Sequence, residues 1–299
     1  DFDALYPLAG ARHHDLSEFE FLPGTHVLLL NTRSTFEGPG LAKHDDLLRI
    51  DVDSLARTML LAPGSGGDFV PSPDGRYLAL SRSDLVEILL ADGSPSGSGT
   101  IAYDPVITYS EYAYYAQPVW NSDSTAIALA IPSRDPLAPS TSGSIWRLPV
   151  GAPATLVATL EGQFFLMTSY APLVSPDLAK VVFTRPTTTP NVVELYRSAV
   201  DGSGETLVGE FGAWMGWSPD SAHFVYGAAD PTGLLLADAS GASTPLVVGT
   251  DLRWYTPADF LYLSGSMGGW TIERGAIGSA PSALASPGGD FVDYDFTYR

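Results

Sequence analysis

The sequence predicts an all-β fold, a six-bladed β-propeller of four-stranded antiparallel blades, and three observations carry the prediction. A turn of the Ser-Pro-Asp type followed by an oily run recurs at steps of 38 to 54 residues. Between recurrences lie two further β-rich runs, separated by turns of Asp, Gly and Ser. Helix breakers are frequent and the charged helix formers Glu and Lys are scarce: Gly (30) and Pro (24) are abundant and Asp outnumbers Glu by 24 to 10. Asp bonds nearby backbone amides and so favours turns over helix.

The repeats are clearest in FVPSPDGRYLALS (69–81), PVWNSDSTAIALAI (118–131), PLVSPDLAKVVFTR (172–185) and MGWSPDSAHFVYG (215–227). Weaker copies are FEFLPGTHVLLLNTR (19–33) and RWYTPADFLYLSG (253–265). They align on Pro23, Pro73, Ser122, Pro176, Pro219 and Pro257. Pro presets φ in the turn, and Asp and Gly supply a local hydrogen bond and tolerate φ > 0. The run after each turn is the second strand of its blade. A third strand is expected at 47–52, 85–90, 144–148, 192–198, 234–237 and 270–276. A fourth is expected at 58–61, 155–159, 205–209 and 244–248. Residues 92–100, 133–143 and 187–191, rich in Gly, Pro, Ser and Thr, read as hairpin loops at the edge of the disc. A β-sandwich would have no reason to repeat the turn at this interval.

Ser72-Pro73-Asp74-Gly75 with Leu78-Ala79-Leu80, Ser175-Pro176-Asp177, and Trp217 to Asp220 with Phe224-Val225-Tyr226 carry a resemblance. This pattern resembles the WD-like repeat of TolB-type periplasmic propellers. It is also similar to the propeller domains of prolyl oligopeptidase-type peptidases. Ser221 stands in the Gly place, and the copies at Asn121 and Thr256 depart further. The resemblance spans nearly the whole chain and implies the fold; a turn-and-strand signature says little about activity.

One propeller domain is therefore expected over residues 1–299, with blades near 19–66, 67–115, 116–163, 164–210, 211–250 and 251–299. Residues 1–18 and the strand-like segment 291–298 are available to complete or extend the last blade, because closure of the ring removes exposed sheet edges. The chain starts with Asp1 rather than Met, so a mature or trimmed piece of a longer polypeptide is expected.

The formal charge is -19, from 34 acidic and 15 basic residues, which argues against nucleic-acid backbones as partners. No Cys is present, so disulfide scaffolds and thiolate zinc sites are excluded. No run reaches the length of a membrane helix.

Catalytic motifs are absent: there is no nucleophile elbow, phosphate loop or His-Glu-x-x-His. His13-His14-Asp15 and His44-Asp45-Asp46 place imidazole beside carboxylate but read as solvated loops. Asp51/Asp53 and Asp293/Asp295 are spaced to share a strand face, a pattern that would admit calcium in an axial channel. An ordinary turn explains Asp51 and Asp53 as well. No metal or cofactor is expected beyond that option. The aspartates of the Ser-Pro-Asp turns, Asp74, Asp177 and Asp220, are accounted for by turn formation. His223 reads as a partly buried strand residue, and Trp214, Trp217 and Trp254 as packing residues.

The aromatic segment 103–120 is the local anomaly, with Tyr109, Tyr112, Tyr114 and Tyr115 as candidate ligand-binding residues. Tyr offers large contact area at low entropic cost. The segment is long for a link between blades, as is 162–170 before the next repeat. Packing between blades is the competing reading. The expectation is a non-catalytic extracytoplasmic propeller, monomeric, that recognises a protein, peptide or glycan on one face. The alternatives are a hydrolase with acids at the channel mouth, or the propeller domain of a serine peptidase.

Overall fold

In the computed structural model, described residues are 14–35, 41–43, 46–109, 113–138, 140–165, 171–228, 233–288 and 294; for 14–18, 33–35 and 41–43 the backbone only is described. They form a six-bladed β-propeller of mainly four-stranded antiparallel sheets. The first blade holds β1 (His14–Phe21), β2 (Val27–Thr35), the short β3 (Leu41–Lys43), β4 (Leu47–Asp51) and β5 (Arg57–Leu61). The second holds β6 (Asp68–Pro71), β7 (Tyr77–Ser81), β8 (Leu85–Leu90) and β9 (Pro95–Ala102). The third holds β10 (Val119–Trp120), β11 (Ala126–Pro132), β12 (Ser142–Pro149) and β13 (Thr155–Glu161).

The fourth blade has three named strands, β14 (Lys180–Pro186), β15 (Val193–Ala199) and β16 (Thr206–Glu210). Its inner strand is reduced to two bridges, Gln163 to Thr184 and Val174 to Val181, with an excursion of the chain between them. The fifth holds β17 (Ala213–Trp217), β18 (His223–Gly227), β19 (Leu234–Asp238) and β20 (Ser243–Val247). The sixth holds β21 (Thr250–Trp254), β22 (Asp259–Ser264), β23 (Thr271–Ala276) and β24 (Ser282–Ala285).

Two expectations are revised. Residues 14–18 begin β1 and pair with β2 in the first sheet, while the sixth sheet takes its four strands from 250–285. Residues 95–100, expected as part of a hairpin loop, belong to the strand β9. Ser and Gly suffice there because an outer strand has little core to fill. The Ser96 hydroxyl instead donates to the Ile88 carbonyl at 2.5 Å. Residues 1–13 and all of 291–298 except Tyr294 lie outside the described set. Tyr294 is buried against β21, where its hydroxyl donates to the Asp251 carbonyl.

Second strands are the most buried, as in β11, which is buried at every position. Neighbouring blades interlock through tryptophans in matching places. Trp120 Nε1 donates to the Val70 carbonyl at 2.9 Å, and Trp217 Nε1 to the Leu173 carbonyl at 3.0 Å. Glycines admit the backbone where the chain enters a blade. A Cβ on Gly67 would stand 2.1 Å from the Ser81 oxygen, and one on Gly249 2.4 Å from the Leu263 oxygen. Each pairing of third and fourth strands carries a register shift, at Leu47/Leu48, Glu87/Leu89, Ile145/Trp146, Leu195/Tyr196, Leu234/Leu235 and Ile272/Glu273. Such bulges twist an outer edge away from edge-to-edge pairing.

Candidate functional site

Strand direction sorts the loops onto two faces. First strands of adjacent blades touch, β1 with β6 and β17 with β21, so they line the axis. Each blade alternates direction outward, so the links between blades and the loops from second to third strand emerge together. This is the crossover face. The Ser-Pro-Asp turns and the hairpins from third to fourth strand emerge on the opposite, turn face.

On the turn face the aspartates serve structure. Asp74 accepts the Ser72 hydroxyl at 2.6 Å and the Arg76 amide at 3.0 Å, and Asp220 accepts Ser218 and Ala222 likewise. In the outer hairpins Asp92, Asp201 and Asp238 accept the hydroxyls and amides of Ser94, Ser203 and Ser240. These hydrogen bonds hold the three carboxyls below the usual carboxylate range.

Asp51 and Asp53 are engaged separately. Asp51 accepts the Ser54 amide and hydroxyl, while Asp53 reaches the exposed His26 ring at 2.9 Å. Asp46 is fully buried, and Thr32 occupies both of its oxygens, through its amide at 2.7 Å and its hydroxyl at 2.9 Å. His13, His44, Asp45, Asp293 and Asp295, and the side chains of His14 and Asp15, lie outside the described residues. Among the described residues no group of three or more His, Asp or Glu is placed to hold a metal ion. His223 is half-buried in β18 and its amide donates to the Ser218 hydroxyl at 2.9 Å.

The crossover face holds the aromatic segment. Residues 113–118 form a link, not a strand, so alternation does not govern their tyrosines. Tyr103 anchors the link: its hydroxyl donates to the Arg82 carbonyl and accepts the Ala116 amide. Burial pushes its phenol pKa well up. Tyr114 is half-buried, edge-on to Tyr103 with centroids 6.5 Å apart and 5.8 Å from the Phe165 ring. The two long links, into the third and fourth blades, therefore meet through these rings. Burial likewise raises the Tyr114 phenol. Tyr115 is buried, and Tyr112 lies outside the described residues.

Tyr109 points the other way and is 57% exposed. Its φ is +58°, in the left-handed region. Its hydroxyl donates to Asp135, and that hydrogen bond raises the phenol pKa. Two residues earlier, the Ile107 amide donates to the Arg134 carbonyl at 2.8 Å. The link is thus clamped to the loop between β11 and β12. Ile107, on the link, and Leu137, two residues beyond Asp135 in the clamped loop, are 41% and 42% exposed, and we group them with Tyr109 as one apolar pad. Of the candidate tyrosines, Tyr109 lies here; Ile107, Arg134, Asp135 and Leu137 were not among the candidates read from the sequence. Leu137, an aliphatic residue in an otherwise polar Pro/Ser-rich loop, was the available signal.

No family model matches the sequence, and no curated protein is similar to it. Solved structures match its fold. The β-propeller domain of the Trilobed protease from Pyrococcus furiosus, described as having an open velcro topology, is 11% identical at a TM-score of 0.58, over 92% of this chain and 86% of that one. Oligogalacturonate lyase in complex with manganese is 14% identical at 0.57, over 92% and 86%. Pyrococcus horikoshii acylaminoacyl peptidase is 11% identical at 0.60, over 93% of this chain but 46% of that one. The chain thus spans a little under half of that peptidase's length. Its fold is that of a six-bladed propeller, similar to the propellers that accompany peptidases.

Proposed function

We propose that this chain is a non-catalytic binding propeller that works outside the cytoplasm and captures a protein or peptide on its crossover face. The carrying observation is the exposed pad of Ile107, Tyr109 and Leu137, held in place by the Tyr109–Asp135 and Ile107–Arg134 hydrogen bonds. Rigid, preorganised apolar contacts lower the entropic cost of capture, and Tyr is favoured among residues that dominate binding energy. The scarcity of Lys and lack of Cys support an extracytoplasmic setting. Protease accessibility on intact cells tests that part.

Peptides selected from a displayed library on the purified chain test the binding surface. Tyr109→Ala or Leu137→Ser should weaken the selected peptides by about tenfold or more. Equal affinity for the parent and both variants would overturn the assignment.

A second reading, the propeller domain of a serine peptidase, is supported by the likeness to acylaminoacyl peptidase, of which this chain covers 46%. A fluorophosphonate probe applied to the full-length polypeptide distinguishes the two. Labelling of a serine outside residues 1–299 would favour the peptidase.

A further inference from the structure

The pad on the third blade has a counterpart across the ring. On the sixth blade, Val248 in the incoming link is 72% exposed, and Met267 in the loop between β22 and β23 is 67% exposed. Their places match those of Ile107 and Leu137: one residue in the link, one in the loop from second to third strand. Met267 sits in a tight turn closed by the Gly269 amide on the Ser266 carbonyl at 2.8 Å, with Gly268 at φ +81°. That turn pushes the thioether chain outward. In a ring of six, blades three and six face each other across the axis. Among the described residues, the other exposed large aliphatic side chains lie on outer strands (Met59, Leu156, Val157, Leu207, Leu284), or in turns and at a strand end of the opposite face (Val52, Leu55, Leu90).

Charge selects the occupant. Asp104, on the link, and Asp135, in the loop beside Arg134, are exposed, and Asp84 lies on the same face. Asp251, ion-paired with Arg253, and Glu273 are half-buried in the strands that carry the second pad, so carboxylates still outnumber guanidinium groups among these residues. The chain as a whole is at -19, so a second copy would be repelled. We infer that the crossover face binds one basic polypeptide segment, laid across the channel mouth with an apolar anchor on each pad and Lys or Arg side chains between them. This rests on the binding reading above and adds the partner's chemistry and its two-point attachment. Two weak contacts on one segment reinforce each other once the segment spans both.

Fluorescence anisotropy with synthetic peptides tests this. The probes are extended peptides of increasing length with Leu or Phe at each end and Arg between, and matched peptides with Glu in place of Arg. Affinity should rise by at least about tenfold once the length reaches both pads. Ile107→Ser/Leu137→Ser and Val248→Ser/Met267→Ser should each abolish that rise while the melting temperature holds. Non-specific attraction to an acidic surface would fall with salt but ignore these substitutions. Three results would overturn the inference: no length threshold, equal binding of the Glu peptides, or indifference to the sixth-blade pair. Sensitivity to the third-blade pair with indifference to the sixth would leave the binding reading intact and sink this one. A dimer of the parent chain, lost in the pad variants, would assign the face to self-association instead.

Discussion

The Asp177 amide of the fourth blade donates to the Ser221 hydroxyl of the fifth at 2.8 Å. Asp74 and Ser124 repeat the contact between the second and third blades at 3.1 Å. Ser221 and Ser124 are buried and hold φ near +60°, where the second blade uses Gly75 and the fourth Leu178. What reads in the sequence as a decayed glycine is a joint between blades. Ser221→Ala keeps the left-handed backbone and loses the bond, so unfolding free energy should drop by about 1–2 kcal/mol. Ser221→Gly loses the same bond but relieves the backbone, so it should cost less. Urea unfolding of the two variants checks the order.

Trp217 should show a graded effect. Its indole donates to a Leu173 carbonyl that also accepts the Val182 amide at 3.1 Å, so that carbonyl is not orphaned when the indole is removed. The ring packs on Phe224 at 4.8 Å. Trp217→Phe keeps an aromatic contact and should cost about 1–2 kcal/mol, whereas Trp217→Ala should cost about 3–5 kcal/mol through the cavity. Equal losses in denaturant melts would contradict the separate hydrogen-bond and packing roles.

Gly67→Ala and Gly249→Ala should each destabilise by about 2–3 kcal/mol, because the new methyl would collide with a strand carbonyl that has no room to yield. Gly97→Ala is the control for space, since nothing stands within 4 Å of a Cβ there, although its φ of +79° keeps some strain.

Acid should weaken the fold through the hairpin aspartates. Hydrogen bonds from Ser94, Thr125, Ser203 and Ser240 lower the folded-state pKa values of Asp92, Asp123, Asp201 and Asp238. The unfolded chain then binds more protons, so stability rises with pH in this window. The contribution is complete above the ordinary carboxylate value and is lost as pH falls from ~5 through the lowered folded values. Relief of the -19 charge acts oppositely on mild acidification. Melting temperature should therefore hold or rise slightly before it collapses. A variant carrying Ser94→Ala, Ser203→Ala and Ser240→Ala should lose stability at neutral pH and show a shallower acid limb.

Much of the fold was legible because its grammar is local. Ser72-Pro73-Asp74-Gly75 encodes a turn that its own side chains close, and the third strands fall within a residue or two of their expected places, apart from longer ends on β12. What escaped reading depends on neighbours distant in sequence. The excursion in the fourth blade's inner strand pairs Gln163 and Val174 with residues only three apart on β14. Gly67 and Gly249 look like loop glycines until Ser81 and Leu263 are brought beside them. The tyrosine segment divided for the same reason: Tyr114 meets Phe165 from another link, while Tyr109 is turned out by its own backbone and tied to Asp135.

Site-directed crosslinking tests the crossover face most directly, because the chain has no native Cys and single cysteines can be placed at will. A photoreactive label on Ala138→Cys, next to Leu137, and another on Asp92→Cys probe opposite faces with the same library-selected peptide. The binding account predicts crosslinking from position 138, competed by unlabelled peptide, and none from position 92. Crosslinking from position 92 with none from position 138 would contradict it.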